Sequence, residues 1–295
     1  MDLKGKCVLL GVSGGIAAYK MANVASALRK LGADVEVIMT KNATQFITPI
    51  TFETLTGHKC MVDTFDRDFK FEVTHISLAK KADVILVAPA TANVIAKMAH
   101  GIADDMLSTT VLACRCKKLV APAMNTNMYE NPITQDNLET LRRYGFGIID
   151  PAVGMLACKD VGAGKLPKEE LLYNHILQEI LYPKDLAGKK VLVTAGPTRE
   201  FADPVRYVSN RSTGKMGFAI AEAARDRGAQ VTLLSGPVRL AAPEGVEITP
   251  VSSTQSLYDA MLARCGEQDI IVQAAAPADY RVEHPAAQKL KKRAG

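Results

Sequence analysis

A chain of 295 residues, 48% hydrophobic by composition, is long enough to bury a sizeable core and to form two domains. Its formal charge of +5 is modest, with Lys and Arg interspersed among acids and no Trp, which argues against a nucleic-acid binder and suits a soluble handler of anionic small molecules. No apolar run reaches the length that crosses a bilayer, and the start "MDLKGKCVLLGV" lacks a signal-peptide layout, so no membrane association and a cytoplasmic setting are expected.

Strand-like and helix-like runs alternate from the start, the pattern of parallel sheets built from βαβ units and hence of an α/β fold. "KCVLLGV" (6–12) predicts a buried strand, followed by a Gly-rich turn and a helix reaching residue 30. "ADVEVIMT" (33–40) is the second strand, "ADVILVAPA" (82–90) a central one buried on both faces, "KKLVAPAM" (117–124) another, and "GFGIID" (145–150) a shorter one. Helices are predicted over 92–100, 104–115, 131–143 and 168–181. "LYPKDLAGKK" (181–190) then breaks the composition, as a linker does. The alternation restarts with a strand at 189–196, a helix at 216–228, a strand at 229–236, a helix at 254–265 and a strand at 269–277. The expected division is 1–182, a linker over 183–190, and 191–295. The six Cys are scattered through strand-like and helix-like runs, as reduced thiols are, and Cys114-Arg-Cys116 lacks the second ligand pair a zinc site needs.

The first βα turn, "GVSGGIAAYK" (11–20), holds Gly11, Ser13, Gly14 and Gly15, which let the backbone approach a phosphate at a helix N-terminus. It is not a strict G-x-G-x-x-G, and no acid ends the second strand; "MTKNAT" (39–44) places Thr40 there instead. A mononucleotide phosphate such as that of FMN therefore suits better than NAD, with an ordinary tight turn as the alternative. "APATANVIAK" (88–97) repeats the arrangement after the third strand with Pro89, Ala90, Thr91 and Asn93, where plain helix capping is the alternative. Ser108, beside Thr109 and Thr110, could surround the same ligand, while Asp104 and Asp105 read as a solvated helix start. "APAMNTNMYE" (121–130) offers nothing that titrates near neutral pH, only Asn125 between Met124 and Met128. His75 in "VTHISLAK" is either structural or a base. Cys158 lies in the Gly-bordered "GMLACKDVGAGKL" (154–166), neither strand nor helix by pattern, where it could be an acid or redox thiol in a lid. Further on, "TAGPTREFADPVRYVSNRSTGKMG" (194–217) carries Gly196, Ser212, Thr213, Gly214 and Lys215 before a helix, another candidate phosphate cradle, though not a P-loop. Asp279 and Lys289 could serve a metal and a triphosphate, or belong to a charged surface tail.

Taken together, "GVSGGIAAYK", "HISLAK", "ADVILVAPATANVIAKMAHGIADD", "APAMNTNMYENP", "ACKDVGAGKL", "GPTREFADPVRYVSNRSTGKMG" and "PADYR…QKLKK" resemble the bifunctional phosphopantothenoylcysteine decarboxylase/phosphopantothenate–cysteine ligase family of coenzyme A biosynthesis. The resemblance implies a Rossmann-like flavoprotein domain with a parallel sheet, then a second, incomplete Rossmann-like α/β domain. It implies FMN in the first domain and CTP with Mg²⁺ in the second, with phosphopantothenoylcysteine, phosphopantothenate and cysteine as substrates. By the same resemblance His75 is the base near the substrate thiol, Asn125 binds the substrate carboxylate, Cys158 returns a proton, and Asn210 assists the acyl intermediate. Ala275, Asp279 and Lys289 contact CTP, Asp279 also serving the metal. A trimer-based homo-oligomer, multiplied up to a dodecamer, is implied as well. The family's ligase domain continues past the Lys cluster, so the ligase half is expected to be truncated and impaired.

The chemistry accounts for the groups. Loss of CO₂ from a cysteine carboxylate leaves electrons that need a sink; oxidation of the thiol to a thioaldehyde by the flavin supplies one, and the flavin is restored at the end. A neutral Asn amide can then hold the carboxylate without the strong ion pair that would oppose its departure. Two other readings share the fold: an FMN-binding regulatory subunit without turnover, and a flavin-modifying prenyltransferase.

Overall fold

The computed structural model describes residues 2–65, 74–155 and 161–290. The chain divides into two compact units, Met1–Leu181 and Tyr182–Gly295. In the first, β1 (Cys7–Val12) leads through a 3-10 turn (Ile16–Tyr19) into α1 (Lys20–Lys30), β2 (Asp34–Met39), α2 (Pro49–Thr56) and α3 (Thr74–Lys81). There follow β3 (Val84–Ala90), α4 (Ala92–His100), α5 (Met106–Ala113), β4 (Lys117–Pro122), the one-turn α6 (Thr126–Tyr129) and α7 (Pro132–Arg143). Last come the two-residue β5 (Gly147–Ile148), the strands β6 (Ala152–Met155) and β7 (Val161–Lys165), and α8 (Glu169–Leu181).

Strands β1 to β5 form one parallel sheet in the order β2-β1-β3-β4-β5. Every residue of β1 and β3 is buried, as the continuous apolar runs require of strands covered on both faces. Alternate side chains serve opposite layers. Val8, Leu10 and Val12 pack with Met21, Leu28, Phe52 and Ile176 from α1, α2 and α8, while Leu9, Ile85 and Val87 pack with Leu78, Ile95, Leu107 and Leu138 from α3, α4, α5 and α7. The class is the α/β one expected. The strand order reverses between β1 and β3, which leaves a crevice at their carboxyl ends.

Two expectations need correction here. The segment expected to lack regular structure contains β6 and β7, paired antiparallel as a separate two-stranded ribbon. Its apolar Val153, Met155 and Val161 face outward, so burial gave no alternation for the pattern to reveal. The strand predicted at 145–150 shrinks to two residues.

The second unit holds β8 (Lys190–Ala195), β9 (Arg199–Phe201), β10 (Tyr207–Ser209), α9 (Lys215–Asp226), β11 (Gln230–Ser235), β12 (Glu247–Pro250), α10 (Thr254–Cys265) and β13 (Ile270–Gln273). A parallel sheet in the order β12-β11-β8-β13 carries α9 on one face and α10 on the other. Gly217 allows that packing, since a Cβ there would come within 2.5 Å of the Ala195 Cβ. The long stretch 194–217 contains the antiparallel pair β9–β10. No helix among the described residues is long and apolar enough to cross a membrane.

Candidate functional site

The turns after β1 and β3 are tied together by one hydroxyl. Ser13, wholly buried, donates from Oγ to the Pro89 carbonyl (2.6 Å) and accepts from the Thr91 N–H (3.1 Å). Thr91 in turn caps α4, its Oγ1 accepting from the Val94 N–H. Gly14 sits against the loop after β2, where a Cβ would come 2.5 Å from the Asn42 Cβ, so only Gly fits. Gly14 and Thr91 form a wall common to two cavities. On one side lies the more polar cavity, of about 480 Å³, reached by Thr40, Asn42, Asn93 and Lys97 and also by Asp63, Asp104 and Asp105. On the other lies a more apolar cavity of about 520 Å³, lined by Gly15, Pro89, Met124, Met128 and Asn125 among others.

Asn125 is the N-cap of α6, its Oδ1 accepting from the Asn127 N–H (2.9 Å). The turn that holds it is fixed from the other side by β7, because the Met124 N–H donates to the Gly164 carbonyl (3.0 Å). Gly164 has φ +124°, a conformation other residues avoid, and a Cβ there would collide with the Met124 carbonyl oxygen. The close approach of ribbon to turn depends on that glycine.

Other residues singled out in the sequence fall elsewhere. Gly11 lies in β1, where its missing Cβ admits Leu107 from α5 (2.5 Å), so it serves packing and lines neither cavity. Ala90 is buried in β3 and its carbonyl accepts from the Ala123 N–H (3.0 Å). Ser108 does not join the cluster: its hydroxyl completes a capping box with Asp105 and borders a different cavity, beside His100 and Lys118. His75 is half-buried on α3 and lines neither of the two cavities. Cys158 lies outside the described residues.

The structure adds lysines that sequence reasoning passed over, and gives one of them to the two acids read as a solvated helix start. Asp104 and Asp105 are held by the Lys97 ammonium at 2.6 and 3.0 Å. Hydrogen bonding to Asp104 raises the Lys97 pKa against the opposing effect of burial. Burial pushes the Asp105 carboxyl up, but the Ser108 N–H and Lys97 outweigh it and hold it below its ordinary value. Two lysines, Lys20 and Lys165, also border the apolar cavity. At the opposite, amino end of β2, donor atoms of Asp34, Glu36 and His58 lie within 4.8 Å of one another. The Lys81 ammonium occupies that cluster, 2.8 Å from Asp34 and 2.5 Å from Glu36, which makes it an ion-pair network.

In the second unit, Asn210 donates through Nδ2 to the carbonyls of Ala276 (3.1 Å) and Pro277 (2.8 Å), pinning the loop after β13. The Ala275 N–H donates to Thr194 Oγ1 (3.1 Å). Asp279 borders a cavity of about 420 Å³ with Glu200, Thr254 and Arg281. Lys289 is not among its lining residues. Its neighbour Leu290 donates from N–H to Asp203 Oδ2 (3.1 Å), which places Lys289 by the β9–β10 turn.

Comparison with known proteins now bears on this geometry. The family model described as "Flavoprotein" matches residues 1–181, and that described as "DNA/pantothenate metabolism flavoprotein C-terminal domain" matches 186–295. The chain is 49% identical over 292 residues to the "Coenzyme A biosynthesis bifunctional protein CoaBC" of Vibrio parahaemolyticus, covering 99% of this chain and 73% of that protein. The chain belongs to the bifunctional CoaBC family. The CoaBC protein of Bacillus subtilis is 47% identical over 298 residues, again 99% of this chain and 73% of that one. Among solved structures, a PPC decarboxylase mutant complexed with pantothenoylaminoethenethiol matches with TM-score 0.53 and 31% identity, covering 58% of this chain and 96% of its own. "The FMN binding protein AtHal3" matches with TM-score 0.52 and 31% identity, over 59% and 95%. Both matches cover little more than half of this CoaBC-family chain.

Proposed function

We propose that the first unit decarboxylates 4′-phosphopantothenoylcysteine to 4′-phosphopantetheine with FMN as cofactor. The carrying observation is the amide of Asn125 at an apolar cavity that shares Gly14 and Thr91 with a polar one. Gly14, Gly15, Thr40, Pro89, Thr91 and Asn93 would hold the cofactor; a side chain at Gly14 would displace the Asn42 loop, and Gly15 leaves open space short of Pro89. FMN, when bound, supplies the two-electron sink that loss of CO₂ requires. The chain's own residues do the rest. Asn125 offers hydrogen bonds to the substrate carboxylate without a full charge, and Met124 and Met128 form apolar walls that exclude water and strengthen those bonds. His75 takes the thiol proton and Cys158 returns one to the product. In the trimer-based assembly that the family resemblance implies, a second copy would bring His75 to the site.

For the second unit we propose ligation of 4′-phosphopantothenate to cysteine with CTP, Asp279 holding Mg²⁺ and Lys289 the triphosphate. The hold of Asn210 on the 276–277 carbonyls supports a role beside Ala275. The five described cysteines are free, in keeping with a cytoplasmic setting.

The purified protein, loaded with FMN and given phosphopantothenoylcysteine, is expected to release CO₂ and phosphopantetheine, and Asn125→Asp to lose more rate than Asn125→Ala because it repels the carboxylate. Bound FMN without product would instead point to a flavin-binding regulatory subunit. Cysteine-dependent release of CMP from CTP tests the ligase separately.

A further inference from the structure

Lys20 and Lys165 are the only charged side chains lining the apolar cavity among the described residues, and no acid accompanies them there. Four other lysines of this unit do have carboxylate partners: Lys6 with Asp83, Lys41 with Asp63, Lys81 with Asp34 and Glu36, Lys97 with Asp104 and Asp105. Lys20 is half-buried and opens α1, directly after the 3-10 turn, with no acid in either first turn. Lys165 ends β7, and its side chain lies across Gly154 on the paired strand, where a Cβ would meet its Cδ at 3.6 Å and its Nζ at 3.8 Å. One cation comes from the nucleotide-side turn and the other from the ribbon, so they reach the cavity from two separate elements.

We propose that Lys20 and Lys165 form a phosphomonoester subsite that receives the terminal phosphate of the substrate and makes the unit selective for phosphorylated over unphosphorylated pantetheine-type ligands. This rests on the function proposed above. A phosphomonoester carries close to two charges at neutral pH and three strong acceptor oxygens, which matches two ammoniums. The substrate's carboxylate end is already served by the neutral Asn125. Between the two ends, Ile16, Tyr19, Met128 and Met155 give the exposed apolar surface that an uncharged linker needs.

The test measures binding as well as turnover. The FMN-loaded protein is titrated calorimetrically with 4′-phosphopantetheine and with pantetheine, alongside Lys20→Met, Lys165→Met and Lys165→Arg. The expected result is tighter binding of the phosphorylated ligand by wild type. Each Met variant lowers that preference about 10- to 100-fold, the value of a hydrogen bond to a charged group, and Lys165→Arg retains most of it. Equal binding of the two ligands by wild type would overturn the subsite, as would Met variants that weaken both ligands in parallel. Separate titration of the apo protein with FMN covers the other phosphate source: a loss of FMN affinity in the Met variants with ligand preference intact would also overturn it. If wild type prefers the phosphorylated ligand but releases no CO₂ from phosphopantothenoylcysteine, the subsite stands and the decarboxylase reading fails.

Discussion

Replacing Gly164 with Ala tests whether the ribbon sets the position of Asn125. At φ +124° an Ala bears the strain of a sparsely populated conformation, about 1–3 kcal/mol. Its Cβ is also driven into the Met124 carbonyl oxygen, which breaks the 3.0 Å bond from the Met124 N–H to Gly164 at a further cost of about 1 kcal/mol. The sum, about 2–4 kcal/mol, is survivable for a domain with a stability of roughly 5–15 kcal/mol. If the ribbon stays docked, the melting transition of the first unit falls by roughly 4–16 °C, at about 2–4 °C per kcal/mol for a unit of this size. If it detaches, the transition moves less, because β6 and β7 pair only with each other, and decarboxylation falls through the freed 124–126 turn. Thermal melts by circular dichroism, paired with CO₂ release, separate the two cases. Gly57→Ala is the control: its φ is +76° with nothing within 4 Å of a Cβ, so it costs about 1 kcal/mol of strain and leaves turnover as it is. A Gly164→Ala protein with both its melt and its turnover unchanged would refute the role given to the ribbon.

Ser13→Ala should cost about 1–3 kcal/mol, because it strands the buried Pro89 carbonyl and Thr91 N–H, and should weaken FMN roughly tenfold by flavin fluorescence titration; unaltered melting and affinity would contradict the tie. Asp203 titrates below its ordinary value of 3.8: burial would raise it, but the N–H groups of Val205, Leu290 and Arg206 and the Arg206 guanidinium outweigh that. A depressed folded pKa means its stabilisation is complete above that ordinary value and is lost as pH falls through the folded one. Asp203→Asn should thus destabilise the second unit at neutral pH and flatten its acid limb in urea titrations below about pH 4; an unchanged slope would count against it. Burial pushes the Cys7 and Cys60 thiols up to about 12, whereas the hydrogen bond from Cys114, helped by Lys118 and opposed by burial, lowers Cys116. Iodoacetamide at mildly alkaline pH should label Cys116 before either, as read by peptide mass spectrometry; earlier labelling of Cys7 would contradict the ordering.

The parallel sheets were legible because β1 and β3 are buried on both faces and read as unbroken apolar runs bounded by Gly and Pro. The turns after them were legible because a carboxyl-end crevice demands small and capping residues, which Gly14, Gly15 and Thr91 supply. The same cues also picked out residues that line neither of the two cavities. Gly11 has the look of a phosphate-turn glycine, yet the approach it permits is that of Leu107, and only three-dimensional packing shows the difference. Ser108 offers a hydroxyl that its own helix start consumes. The ribbon escaped notice because it has no core face, and Lys97 because a half-hidden cation and two acids seven and eight residues away read as ordinary surface charge.

The ribbon's self-sufficiency has an evolutionary corollary. Its strands satisfy each other's backbone groups, and it meets the rest of the unit chiefly at the 124–126 turn, through the Met124–Gly164 bond and the packing of Gly162 on Thr126. Its composition can drift, lengthen or be exchanged between relatives without unpairing a strand of the five-stranded sheet. On the function proposed above, natural selection on which acid is admitted can therefore act on an appendage, while the turns at Ser13 and Thr91 stay under separate constraint. An engineer seeking altered acceptance of non-native cysteine derivatives would begin by transplanting 152–165 as a unit.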